Sequence, residues 1–329
     1  MKCWHAIGGF FKRMWQWYKG LYKDAPWYKK IVVAFVSLVA AFIFYLFAVN
    51  VNLFWLFGKS PSVNDIMHPE TNEASQLYSA DGKLIGKYFN ENRTPVGYDD
   101  INPIFFKVLI DTEDERFYQH HGIDFQGLAA AFKDMIGGHA RGASTITQQL
   151  VKNMFRVRTH YSTGLLGKVP GLKIIIMKSK EMFLAVEIEM LYSKEEILAM
   201  YANTVDFGSN SYGIKTAAKT YFNTTPKDLT IEQSAVLVGL LKATSTYNPR
   251  LNPERSLERR NVVLNNMLRL KDITKQEYDS LSQIDIHLNY RIESAYDGQA
   301  LYFRQAVAKE LKPWCEETGY DLYTDGLKI

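Results

Sequence analysis

Apolar and polar positions divide this chain into stretches of different texture. Ile31 to Phe57 carries no charge, and its opening run IVVAFVSLVAAFIFYLFAV is long enough to cross a bilayer as a helix. Residues 58–75 form a polar connector punctuated by Gly58, Pro61, Asn64, Asp65 and Pro69. Gln76 to Tyr88 alternates roughly about Asp81-Gly82, which predicts a β-hairpin. From Asn102 onward the period is helical. Asn102-Pro103 supplies an N-cap with proline at the first helical position before IFFKVLIDTEDERFY. Capping boxes at Ser193-Lys194-Glu195-Glu196 and Thr230-Ile231-Glu232-Gln233 open two further helices. Ser256 to Lys271 reads as a charged amphipathic helix, and another is expected near Gln299–Leu311. The expected fold is mainly α, with an N-terminal transmembrane helix, a small hairpin and a principal domain over residues 95–285.

Charge orients this arrangement. Residues 1–30 hold Lys2, Lys12, Arg13, Lys19, Lys23, Lys29 and Lys30 against the single acid Asp24. Trp4, Trp15, Trp17 and Trp27 precede the apolar run and Trp55 closes it, as interfacial aromatics do. The expectation is one membrane pass over 31–57, the basic N-terminus (1–30) cytoplasmic and all that follows on the outer face of the inner membrane. A cleaved signal peptide fits poorly, because the run is long and no small-x-small cleavage site follows it before Lys59. The net charge of +4 does not by itself call for a nucleic-acid partner, and none is expected. Cys3 and Cys315 fall on opposite sides of the membrane in this reading and cannot pair.

Three clusters carry candidate chemistry. Glu113 and Asp114 end an apolar helix just before Phe117 and a His120-His121-Gly122 turn; a carboxylate among apolar groups has its proton affinity raised, which suits a general acid or base. Ser144, Gln148 and Lys152 are spaced to share one helix face, with Thr145 and Gln149 beside them and Ile146, Leu150 and Met154 opposite. Gly142-Ala143 leaves that helix start open to close approach by an anion. Lys178 and Glu181, spaced i and i+3, stand near Lys173 in the third cluster. Two separated glutamates, an amide and hydroxyl face and several lysines together fit glycosyl transfer from a pyrophosphate-linked sugar. A base takes the acceptor proton and cations stabilise the departing pyrophosphate.

In order along the chain, these residues resemble the motifs of the peptidoglycan glycosyltransferase domain of class A penicillin-binding proteins. The series is Glu113-Asp114-x-x-Phe117-x-x-His120-x-Gly122, Gly142-x-Ser144-Thr145-Ile146-Thr147-Gln148-Gln149, Lys178-x-x-Glu181, Glu196-Ile197-Leu198-x-x-Tyr201-x-Asn203 and Ala235-x-Leu237-x-Gly239-Leu240-Leu241-Lys242-Ala243. The resemblance implies a lysozyme-like domain that polymerises lipid II into β-1,4 glycan strands by inverting transfer and releases undecaprenyl pyrophosphate. It implies Glu113 as general base on the acceptor hydroxyl and Glu181 as an aid at the donor pyrophosphate, through a divalent ion, Mg²⁺ or Mn²⁺. Lys152, Lys173 and Lys178 would face the pyrophosphate. Asp114, Phe117, Ser144, Thr145, Gln148 and Gln149 would line the substrate site, with Tyr201 and Asn203 supporting it and His120 structural. The implied partners are lipid II, the growing glycan strand, the bilayer and cell-wall synthesis proteins, with moenomycin as inhibitor.

The pattern departs from the family in places. Met177 stands where an arginine is usual before the third-motif lysine, and Lys173 where arginine is common, so bidentate phosphate binding is weaker there. Thr159 to Ile176, apolar with glycines at 164, 167 and 171, resembles a membrane-dipping segment; its Leu165, Leu166, Leu172, Ile174, Ile175 and Ile176 would otherwise need a core partner. There is no Ser-x-x-Lys and no Lys-Thr-Gly, whereas Tyr323 to Ile329 resembles the strand that leads into a transpeptidase. Residues 286–329 are therefore expected to begin a linker toward a transpeptidase domain absent from this sequence. The competing readings are a lysozyme-like lytic hydrolase, which would not need the lysines, and a catalytically inactive membrane scaffold.

Overall fold

A computed structural model describes residues 12–13, 15–21, 23, 25–67, 73–138, 142–155, 157, 161–292 and 300–329. Cys3, Trp4 and Arg141 lie outside the described residues. The chain divides into two compact units, Met1–Ser60 with Ser162–Lys180, and Pro61–Tyr161 with Glu181–Ile329.

The first unit is built on α1 (Trp27–Asn50), which is apolar and long enough to span a membrane. Its large side chains, Ile31, Phe35, Leu38 and Phe47 among them, are exposed, as a helix that meets lipid requires. The uncharged run to Phe57 is not one helix. Asn52 takes a left-handed conformation (φ 49°) and its side chain accepts from the Phe57 amide, which turns the chain away seven residues short of the expected end. Ala48, Val49 and Phe57 then bury against Ile176, with Leu166 and Leu172 packed around them. The apolar segment after Thr159 is thus split. Leu166, Leu172 and Ile176 find an internal partner, whereas Leu165, Ile174 and Ile175 are exposed; Thr159 and His160 lie outside the described residues. Two backbones cross here at Gly58 (φ +74°) and Gly164 (φ +62°), where a Cβ on Gly58 would overlap the Ser162 carbonyl. Lys180 closes the crossing: its Nζ donates to the carbonyls of Gly58 (3.0 Å), Lys59 (2.6 Å) and Ser162 (2.9 Å).

The second unit begins with the short helix α2 (Val63–Met67) and the predicted hairpin, β1 (Ser75–Tyr78) antiparallel to β2 (Leu84–Tyr88), turning at Gly82. Residues near the C-terminus add to it. Gln76 and Tyr78 donate to the carbonyls of Leu327 and Ile329, so this segment runs parallel along β1. The helix α12 (Leu301–Thr318), longer than the sequence suggested, packs Val307, Ala308 and Leu311 over a small core of Leu77, Tyr88 and Leu322.

The main core is helical. It contains α3 (Pro103–Glu113), α5 (Ile146–Met154), the second half of α6 (Leu172–Leu191), α7 (Lys194–Thr204), α8 (Ile214–Phe222), α9 (Ile231–Leu240), α10 (Pro253–Leu270) and α11 (Lys275–Gln283), whereas α4 (Phe125–Ile136) leaves Phe125, Phe132, Met135 and Ile136 exposed. Its boundaries follow the caps. Asn102 accepts from Ile104 N with Pro103 at the first position, and Ser193, Thr230 and Thr274 each close a capping box. The apolar helix α9 is buried through nearly its whole length against α3 and α10, and α5 packs on α7. Full burial of each leucine or phenylalanine here is worth roughly 1.5–3 kcal/mol, which fixes the C-terminal end of α3 and the N-terminal end of α5 as neighbours.

Candidate active site

The site is assembled where α3 ends. Asp114 leaves helical geometry (φ −160°), and its buried carboxylate accepts from Ile146 N at the first turn of α5 (2.9 Å) and from His120 Nε2 (3.0 and 3.1 Å). A carboxylate only accepts, so Nε2 carries the proton. Thr145 caps α5 through the Gln148 amide (3.1 Å) and donates to the carbonyl of Gly122 (2.8 Å), which also accepts from Gln148 Nε2 (3.1 Å). Gly122 (φ +82°) lies against the Ala185 backbone, where a Cβ would come within 2.7 Å. Lys194 binds Glu189 (2.6 Å) and the His120 carbonyl (2.8 Å) and sits 4.2 Å over the Phe117 ring. The turn after α3 is thereby fixed on every side.

Glu113, the last residue of α3, is half-buried and points the other way. Gln149 Nε2 donates to its Oε2 at 2.7 Å, and the buried Tyr201 hydroxyl donates to Gln149 Oε1 at 3.0 Å. The glutamate opens onto a cleft of about 700 Å³, walled by Gly142, Ala143 and Ser144 on one side and by Lys152, Lys242, Arg259 and Arg269 among others. Burial and the charge of Glu113 hold the Tyr201 phenol well above its ordinary range, so it stays a donor. At the cleft wall Arg116 grips Asp124 (2.6 Å) and Glu115 (2.6 Å), and Arg269 also reaches Glu115 (2.9 Å). Burial opposes ionisation of Glu115, but Arg269 and Arg116 outweigh it and hold the carboxyl below its usual value. Asp111 behaves oppositely: burial first, then the neighbouring Asp272, pushes it up to about 7. A proton shared with Asp272 supplies the partner that its buried oxygen lacks when both are ionised.

Several expected site residues therefore take other positions. Ser144 precedes the helix, so it does not share a helical face with Gln148; α5 starts at Ile146 because Thr145 is the cap. Gln148 is buried and its amide is used on Gly122, while Gln149 and Lys152 face the cleft. At the start of α5, Asp114 accepts the Ile146 amide and Thr145 the Gln148 amide, so two of its first three amides are already used within the protein. Phe117 has no exposed surface and serves the core. Asn203 exchanges both amide groups with Val96, donating at 2.8 Å and accepting at 3.0 Å, and so ties the segment before α3 to α7. Glu181 is fully buried and does not line the cleft. Lys173, exposed, and Lys178, half-buried, belong to the first unit. Among the described residues no three His, Cys, Asp or Glu side chains converge, so the side chains present do not build a cage for the implied divalent ion. The sequence reading missed Asp111, Arg116, Arg259 and Arg269. Arg259 and Arg269 were signalled only by the arginines of α10, which a charged surface helix shows equally, and Asp111 and Arg116 lie elsewhere, on α3 and in the turn after it.

A family model described as Transglycosylase matches residues 81–268. The chain is 36% identical over 304 residues to penicillin-binding protein 1A of Neisseria meningitidis serogroup A, covering 92% of this chain and 36% of that protein. It is 41% identical over 257 residues to penicillin-binding protein 1A of Escherichia coli K12, covering 77% of this chain and 28% of that one. The crystal structure of penicillin-binding protein 1A from Haemophilus influenzae matches 79% of this chain and 27% of its own, at 28% identity and a TM-score of 0.42. The chain thus spans about a third of the length of these curated relatives.

Proposed function

The chain belongs to the transglycosylase family, and from that premise we propose that it polymerises lipid II into β-1,4 glycan strands by inverting transfer. The observation that carries the reading is Glu113: one half-buried carboxylate, held by an amide donor, opening on a cleft whose wall contributes Lys152, Lys242 and Arg259. In the reaction the acceptor 4-hydroxyl oxygen attacks the donor's anomeric carbon while Glu113 takes its proton. The bond from that carbon to the pyrophosphate oxygen breaks, and the electron pair leaves with undecaprenyl pyrophosphate. Lys152 stabilises the charge that develops there, in a cleft where it is worth more than in water. Mg²⁺ or Mn²⁺, in this reading, would add charge neutralisation for the leaving pyrophosphate to that of Lys152. The apolar α1 supports anchoring in the cytoplasmic membrane, and the basic residues before it support an N-terminus inside and a transglycosylase domain outside. The growing strand and cell-wall synthesis proteins are the corresponding partners, and moenomycin the inhibitor.

The test is glycan-strand formation from lipid II by the intact chain in detergent micelles with Mg²⁺ or Mn²⁺, wild type beside Glu113→Gln. The variant is expected to lose at least ~10²-fold in rate, the usual worth of a general base. Strand formation at the wild-type rate by the variant would remove Glu113 from the role. Release of sugars from preformed glycan, without polymer, would replace the transferase reading with a hydrolase.

A further inference from the structure

Glu113 does not stand alone: behind it lies a two-member chain of hydrogen bonds that ends in a buried phenol. Tyr201, on α7, is 1% exposed and belongs to the main core. Its hydroxyl donates to Gln149 Oε1 at 3.0 Å, and Gln149 Nε2 donates to Glu113 Oε2 at 2.7 Å. The primary amide is the only link in this chain that can turn over. Rotated by half a turn, it would present its carbonyl oxygen to Glu113, where it repels an ionised carboxylate and welcomes a protonated one. What prevents the rotation is at the other end. A phenol that keeps its proton must donate, and the amide oxygen is the acceptor given to it.

We propose that Tyr201 is a positioning residue for Glu113: by donating to Gln149 Oε1 it locks the amide so that an N–H always faces the glutamate, and so keeps that carboxylate in the ionised, proton-accepting state. The inference rests on the reading of Glu113 as base. Two further observations support it. Burial in the core and the adjacent negative charge both keep the Tyr201 hydroxyl protonated, so the donor does not switch off across the working pH range. Glu113 and Gln149 both line the cleft whereas Tyr201 does not, so Tyr201 can act on the reaction only through Gln149.

The test uses the intact chain, lipid II and three variants. Tyr201→Phe keeps the packing and removes only the hydroxyl. With the lock gone, the amide can turn and favour protonated Glu113, so the acid limb of the pH–rate profile is expected to move to higher pH by about one unit. Below that limb this is about a tenfold loss in kcat. KM for lipid II should change by less than about threefold, and the rate should recover at alkaline pH. Gln149→Met removes the link, and adding Tyr201→Phe to it should cost nothing more. A purely structural role for Tyr201 would instead lower the melting temperature and the rate at every pH, leave the limb in place and add its effect to that of Gln149→Met. That pattern, or a Tyr201→Phe profile that overlays the wild type, overturns the proposal. Glu113→Gln run alongside separates the two readings. If it is inactive while Tyr201→Phe is unchanged, only the positioning role fails; if it is active, the assignment of the base fails first.

Discussion

Asp114→Asn separates a contact for substrate from a strut of the site. In the structure the Asp114 carboxylate accepts from Ile146 N at 2.9 Å and from His120 Nε2 at 3.0 Å, and it is buried. Asparagine can keep the first bond with its carbonyl oxygen, but its NH₂ then meets the Nε2–H of His120, donor against donor. If His120 moves its proton to the other nitrogen, Nδ1–H is left without an acceptor, because Nδ1 is buried and has no partner. One charge-assisted bond is lost and one buried donor is orphaned, which sums to about 3 kcal/mol from ~1.5–3 for the first and ~1–3 for the second, less what relaxation recovers. For a unit of this size that is roughly a 6–12 °C fall in melting temperature. The assay is thermal unfolding of the intact chain in detergent, with amide exchange at Ile146 and Thr147 as the local reporter. A melting temperature within 2 °C of wild type, with Ile146 still protected, would refute the structural assignment and return Asp114 to the substrate-binding set.

Other perturbations follow from the same packing. Lys180→Met leaves the carbonyls of Gly58, Lys59 and Ser162 without their shared donor; at ~1–3 kcal/mol each before water repairs part of the loss, the Leu166 amide, bonded to Leu56 O, should exchange about 100-fold faster, and a change under threefold would show that the crossing holds without the ammonium. Asp111→Asn tests the raised carboxyl beside Asp272. Its folded value, about 7, lies above the unfolded one, so the wild type loses stability as pH rises from about 4 through about 7. The melting temperature of Asp111→Asn should therefore gain on the wild type over that window, and parallel melting profiles from pH 4.5 to 8 would contradict the shared proton.

Much of this protein is legible along the chain because its information is local. Asn102-Pro103, Ser193 with Glu196 and Thr230 with Gln233 place helix starts, since a cap satisfies amides only a few residues away. Asp81-Gly82 places the hairpin turn, and an uncharged run marks the membrane helix, though not its end, which a single left-handed Asn52 decides. Glu113, Gln149 and Lys152, taken from separate motifs, line one cleft. The sequence failed where one residue type serves two uses. Gln148 and Gln149 are adjacent and chemically identical, yet one is spent on the Gly122 carbonyl and the other reaches Glu113. Ser144 and Thr145 both border the cleft, but the Thr145 hydroxyl is spent on the Gln148 amide and the Gly122 carbonyl. At the helix start the Ile146 amide is taken by Asp114, a carboxylate supplied 32 residues earlier in the chain. Sequence by itself determined the capped helix starts, the hairpin, the apolar run and the residue types of the site, because periodicity and capping act within a few residues. Only the tertiary structure decided which side chains are free to meet a substrate, because that depends on which polar groups long-range packing has already satisfied.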